Sequence, residues 1–233
     1  LRLVGSEMCI RDRNINAPAL YEIYSGLRGR AYGYLNIQSQ PRLRATTNLA
    51  VDNFGFKDLI DLRKLRIVGQ LPTSETTPSL LTAKMESLRS GNREIQQGEI
   101  SLAGIRKAHL LKVSAQNEKS KFYVQLAGGF NAQNDWLGQI QKGDFDSLRA
   151  RLVQRQSAAV VYNSAKADLL IGAHCWMSQQ SQLCFDQPIR VSKTRGNISF
   201  LTQNLDLNDF AAFMPEGLAI TGKLNGHAKA VWA

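Results

Sequence analysis

Three histidines and two of the three cysteines are the side chains best suited to chemistry in this sequence, and their spacing argues against most of it. His109, His174 and His227 lie far apart, each in a strand-like stretch, so none has a base, nucleophile or metal ligand at a usable interval. His174 and Cys175 are adjacent, and neighbours on a strand point to opposite faces. No third or fourth ligand stands at zinc spacing. No Gly-x-Ser-x-Gly, phosphate-loop or His-Glu-x-x-His string occurs. Asp135 beside Trp136 reads as a turn followed by a core aromatic. The expectation is a chain with no catalytic residue, no metal site and no cofactor.

Cys175 and Cys184 do carry a chemical reading. In LLIGAHCWMSQQSQLCF (169–185) a turn centred on Gln179-Gln180 sets Met177 against Gln182, Trp176 against Leu183 and Cys175 against Cys184. With a two-residue loop the cysteines fall on a non-hydrogen-bonded pair, Cα atoms about 4.5 Å apart, at the short end of the range for a disulfide. The pair reads as a disulfide, with two buried free thiols as the alternative. A disulfide would place the chain in an oxidising compartment.

The elements that would position these residues are strands. Successive strand side chains point to opposite faces, and long runs alternate apolar with polar. Leu43, Leu49 and Val51 share one face, then Leu65 and Ile67. In the meander from Ile95 to Ile140 the apolar face carries Ile100, Leu102, Leu111, Val113, Phe122, Val124, Leu126, Trp136 and Ile140. Alternation returns at Leu218, Ile220, Leu224 and Trp232. Turns are read at Asn53–Gly55, Gln116–Lys119, Gly128-Gly129 and Asn131–Asp135. The pattern from Ala17 to Gly33 is weak. Leu80–Leu88 fits helix and strand equally. In 144–162, Phe145, Leu148 and Leu152 stand at helical intervals while Ala159–Tyr162 favour a strand. One helical turn is expected near Leu205–Phe213, with Asn208 as N-cap. The predicted fold is all-β: an elongated, curved, antiparallel meandering sheet forming a groove, with few or no helices.

The 233 residues carry a net charge of +10 at pH 7. Lys and Arg alternate along strands rather than massing in a block, which reads as a wet sheet face and not a nucleic-acid arm. A nucleic-acid binder would interleave aromatics with the cations on one side. Phe122, Trp136 and Trp232 sit instead on apolar faces, and only Tyr32 and Tyr34 near Arg28 and Arg30 run the other way. An extracellular β-solenoid adhesin would show a regular short repeat, and the strand spacing here is irregular. No run of about 18 apolar residues could span a bilayer as a helix, and no secretory signal is present.

The string LVGSEMCIRDR (3–13) resembles a translated sequencing adapter. Residues 1–13, with Cys9, are therefore set apart as non-native, and 14–233 are taken as one β-groove region. From about Gly26 to its end the chain resembles the TamB family of AsmA-like proteins. The strings that carry the likeness are GQLP (69–72), GEISLAG (98–104), AHLLKVSA (108–115), FYVQLAGGF (122–130), DWLGQIQKG (135–143), the HCW/LCF pair (174–185) and LDLNDFAAFMPEGLAITGKLNG (205–226). The resemblance implies an internal piece of a longer protein, anchored in the inner membrane of a diderm bacterium by a segment outside this chain. It also implies a periplasmic β-groove, an outer-membrane barrel partner of the TamA type met elsewhere, and a role in outer-membrane protein assembly or phospholipid transfer. The apolar face would then line a groove for phospholipid acyl chains.

Overall fold

The computed structural model describes residues 10–38, 44–57, 59–72, 76–91, 93–148, 151–208 and 221–232. They form one sheet of seventeen strands. The first nine are long: β1 (Ile10–Ala17), β2 (Leu27–Gln38), β3 (Arg44–Phe56), β4 (Ile60–Pro72), β5 (Ser79–Ser90), β6 (Arg93–Ile105), β7 (Ala108–Gln116), β8 (Ser120–Phe130) and β9 (Trp136–Ser147). Six short strands follow: β10 (Arg151–Gln154), β11 (Ala158–Asn163), β12 (Asp168–Ile171), β13 (His174–Met177), β14 (Gln182–Phe185) and β15 (Ile189–Val191). Two long ones, β16 (Gly196–Asp206) and β17 (Lys223–Trp232), end the sheet. Among the described residues there is no α-helix; Leu20–Glu22 make one 3-10 turn.

From β1 to β9 each strand pairs antiparallel with the next. Beyond β9 the rungs are broken. β10 and β11 pair with opposite ends of β9. β13 then pairs with β10 and β12 with β11. β14 follows β13, and β15 follows β12. Both meet β16, which pairs with β17. The short strands thus make three two-piece rungs, and the sheet has fourteen rungs in all. At a strand spacing of about 4.8 Å it runs roughly 60 Å. No pairing joins β17 to β1 among the described residues, so the sheet is not a closed barrel.

The breaks fall at Arg155–Ser157, Gly172-Ala173 and Asp186–Pro188, side by side across neighbouring rungs. Pro188 has no N–H for a ladder, and Gly172 offers no side chain to pack. β9 adds a bulge in the same line: Val124 pairs with Gly143 but Leu126 with Ile140. The extra residue reverses the alternation, so Ile140 and Phe145, five apart, face the same side. Backbone groups freed by the breaks find other partners, as burial demands. Gly172 N donates to Ala159 O (2.7 Å) and Arg155 N to Cys175 O (3.1 Å). Gln154 Nε2 donates to Ile140 O (3.3 Å) and Asn197 Nδ2 to Pro188 O (2.9 Å).

Along this line the sheet creases around its apolar face. Phe122 on β8 stacks on Trp176 of β13, ring centroids 6.5 Å apart, although three rungs of a flat sheet span about 14 Å. Two buried clusters result. Ile140, Ala158 and Val160 gather Val124, Leu126, Trp136, Leu169 and Ile171. Phe145, Leu152 and Leu205 gather Phe122, Trp176, Leu183 and Leu224. The three tryptophans each cover a glycine. Trp136 lies over Gly138 and Gly128, Trp176 over Gly143, and Trp232 over Gly196.

Several sequence expectations are corrected. Asn53–Gly55 is not a turn: β3 runs on to Phe56, with Asn53 in the left-handed region (φ 51°). Gly128-Gly129 is not a turn either, because β8 continues to Phe130. The ambiguous 80–88 is β5, and 144–162 is the end of β9 followed by β10 and β11, so the helical intervals at Phe145, Leu148 and Leu152 are coincidental. The weak stretch 17–33 holds the start of β2. The expected hairpin 169–185 is a hairpin whose first arm is broken between β12 and β13. Residues 10–13, set apart on sequence grounds, form part of β1 and pair with β2. The expected helical turn near 205–213 falls largely outside the described residues.

A Cβ at Gly143 would stand 2.2 Å from the Trp176 ring, whereas one at Gly172 meets nothing nearer than 3.3 Å. Gly143→Ala is expected to cost about 1–3 kcal/mol and Gly172→Ala less than 1 kcal/mol. Urea denaturation of the two variants, compared at equal m-value, checks this.

Candidate functional site

The apolar side chains fall into columns that run across the strands. One column is Leu49, Ile67, Ala83, Ile100, Val113 and Val124, each registered on the next. A second is Val51, Leu65, Met85, Gly98, Ala115, Phe122, Phe145 and Leu152. A third is Leu81, Leu102, Leu111, Leu126, Ile140 and Ala158. Trp136 registers between Phe130 and Tyr162 on this face. Leu224 opposes Leu205, and Trp232 opposes Gly196. Of the residues expected on the face, Leu43, Leu218 and Ile220 lie outside the described residues.

The columns form the floor of a trough. Along β3–β7 no second layer covers it among the described residues, and Ile100 at its centre is 47% exposed. At the crease the trough deepens into a cavity of about 480 Å³, lined by Phe122, Ile140, Phe145, Leu152, Ile171, His174, Trp176, Leu183, Phe185 and Ile189. That volume suits a small-molecule site, which typically holds roughly 300–1,000 Å³. The broken rungs supply most of this lining. Sequence alternation missed them because β10 and β12–β15 are three or four residues long, too short to show a period. The apolar pairs Leu152-Val153, Cys175-Trp176 and Leu183-Cys184 were the available signal.

The histidines are structural. Trp136 Nε1 donates to His109 Nε2 (2.8 Å), and His109 Nδ1 faces Ile105 O (3.3 Å). This assigns the Nδ1–H tautomer and leaves no free nitrogen. His174 is buried, with Nδ1 on Gly172 O (2.8 Å), and it stacks on Phe185 (4.9 Å). His227 meets Ser199 and Asp186 on the face opposite the trough. Ser199 Oγ donates to Asp186 Oδ1 (2.8 Å), and His227 Nε2 lies 2.8 Å from Ser199 Oγ and 3.3 Å from Asp186 Oδ2. These are the residue types of a hydrolase triad without its wiring. In a triad the carboxylate holds Nδ1 and the free Nε2 takes the serine proton. Here the carboxylate takes the serine hydroxyl directly and shares the same Nε2, and Ser199 is 0% exposed. The cluster ties the Asp186–Pro188 break to β16 and β17.

Cys175 registers directly on Cys184, Cα atoms 4.0 Å and sulfurs 2.12 Å apart, on the face away from the trough. The loop Ser178–Ser181 closes the hairpin, with Ser181 N donating to Ser178 Oγ (2.8 Å). Among the described residues no group of three or more His, Cys, Asp or Glu could hold a metal ion. No helix there is long and apolar enough to cross a membrane.

The model for the N-terminal domain of TamB matches residues 8–233. The chain belongs to the TamB family. The match begins well before Gly26, where the sequence resemblance alone first became legible. The chain is also similar to the translocation and assembly module subunit TamB of Haemophilus influenzae, 28% identical over 227 residues. That alignment covers 94% of this chain and 17% of the relative, so the chain spans about a sixth of the relative's length. No solved structure matches.

Two outcomes test the outer-face cluster. Hydrogen bonding from Ser199, aided by the nearby His227, holds the Asp186 carboxyl below its ordinary range. A depressed carboxyl contributes stability above its unfolded pKa, about 3.9, and that contribution is lost as pH falls through the lower folded value. Asp186→Asn should therefore flatten the acid limb of a stability-versus-pH curve measured by thermal melts. A fluorophosphonate probe should leave Ser199 unlabelled; labelling would mean a working nucleophile. For the cysteines, Cys175→Ser with Cys184→Ser should lose about 2.5–3 kcal/mol in the chain-entropy account of a loop of roughly ten residues. A reductant should lower the melting temperature of the wild type and leave the double variant unchanged.

Proposed function

We propose that this segment is a non-enzymatic length of a periplasmic scaffold whose trough accepts phospholipid acyl chains. The observation that supports it is the set of apolar columns, continuous from β3 to β11 and open above β3–β7. A packed core would have covered them. Each acyl CH₂ leaving water gains about 0.8 kcal/mol. Because Ile100, Val113 and Val124 offer similar surfaces in turn, a chain can move from rung to rung with little net change. In this reading the segment serves a translocation and assembly module that supports outer-membrane protein assembly and carries lipid across the periplasm. The TamA-type barrel would be met through other parts of the protein.

Photo-crosslinking in cells tests the reading. Benzoylphenylalanine is placed at Ile100 and Val124 on the trough floor, and at Ser101 and Gln125 on the opposite face. Lipid adducts are expected at the first pair and not at the second. Equal labelling of both faces, or none on the floor, would reduce the segment to a brace.

A further inference from the structure

We infer that one long edge of the trough, built from the β6–β7, β11–β12 and β15–β16 loops, holds the phosphate of an anionic lipid headgroup while the acyl chains lie on the apolar floor. This rests on the trough reading above and gives it a direction.

The two edges differ in charge. The three loops bring Arg106, Lys107, Lys166, Lys193 and Arg195 to one side. Asp135 and Asp168 are the carboxylates described there. Asp135 accepts from the Ser164 amide (2.9 Å) and Asn163 (3.3 Å). Asp168 is clamped by Arg190, with Arg195 and Lys166 adding to the positive field around it. Three cations therefore face one carboxylate, and the surplus is positive. At the opposite edge Glu118, Asp144, Asp146 and Asp206 balance the cations, with Arg151 bound to Asp144.

A row of rings stands just inside the cationic loops. Phe130 registers on Trp136 and Trp136 on Tyr162, all on the trough side, and Trp232 occupies the same face at the far end. Phe130, Tyr162 and Trp232 are exposed. The Arg106 guanidinium lies 5.4 Å over the Phe130 ring. Rings that are apolar in body and polar at the tip settle between hydrocarbon and headgroup, with cations beyond them. Apolar floor, aromatic row and cationic loops thus follow in the order in which a phospholipid presents acyl chain, glycerol region and phosphate. A nucleic acid would need rings interleaved with the cations throughout; at this edge the described pair is Arg106 over Phe130, and Trp136 and Tyr162 face into the trough.

The test uses the full chain with vesicles carrying a diazirine-tagged acyl chain, either on phosphatidylglycerol or on diacylglycerol, which lacks the phosphate. The variants are Lys166→Glu/Lys193→Glu/Arg195→Glu, its milder counterpart with Gln at the same three positions, and the opposite-edge control Lys119→Glu/Lys121→Glu. Phosphatidylglycerol crosslinking should fall roughly tenfold or more in the first variant and less in the second. Diacylglycerol crosslinking, and both lipids in the control, should stay within about twofold, and the preference for phosphatidylglycerol should fade at high salt. Loss of both lipids together in the milder variant, or no loss of phosphatidylglycerol in either, overturns the edge assignment and leaves the trough standing. If neither lipid labels the wild type, the trough reading falls and the edge with it. If millimolar inorganic phosphate abolishes the phosphatidylglycerol preference, the edge is a free-phosphate site and the headgroup assignment is overturned.

Discussion

A sheet with one apolar face must cover that face, and here the sheet itself is the only cover the described residues provide. Water leaves apolar surface at a gain of about 25 cal/mol per Å², so a flat ribbon of fourteen rungs would waste its floor. From β8 onward the chain recovers that gain by creasing, and the two buried clusters sit at the crease. Over β3–β7 it does not, and Ile100 stays half exposed. The contrast between a closed half and an open half is the central physical fact of the molecule.

The crease is made by small local departures. One bulge on β9 and three aligned breaks change the direction of the sheet while every rung stays antiparallel. Trp176 laid on Gly143 shows why size matters at that line: a missing Cβ on one rung admits a ring from two rungs away. The outer face is stitched where the inner face is folded. Cys175 and Cys184 join adjacent rungs there, and Ser199, Asp186 and His227 close over the Asp186–Pro188 break.

Side chains that carry chemistry elsewhere are thus used for architecture. His109 caps Trp136, His174 fills the cavity wall, and His227 braces the last two strands. Each has at least one ring nitrogen on a neighbour fixed by the fold. Polar contacts of this kind position strands more than they add net stability, because each replaces a bond to water.

Alternation along the chain was enough for the all-β class, the apolar face from Leu49 to Leu126 and the register of Cys175 on Cys184. Alternation and turn residues act over a few neighbours, so they can be read from the chain alone. Alternation did not determine where the sheet creases. Ile140 and Phe145 share a face only because of a bulge that no alternation reveals, and Gly128-Gly129 looks like a turn until Trp136 is seen to cover Gly128. Asn53 misleads for the same reason: its left-handed conformation falls at a bulge, where the β2–β3 register slips between Arg28 and Arg30. The cavity, lined from Phe122 to Ile189, joins residues up to 67 positions apart in sequence. Only tertiary structure could decide it, because a crease is set by packing across rungs, and packing depends on which residues meet rather than on which ones follow each other.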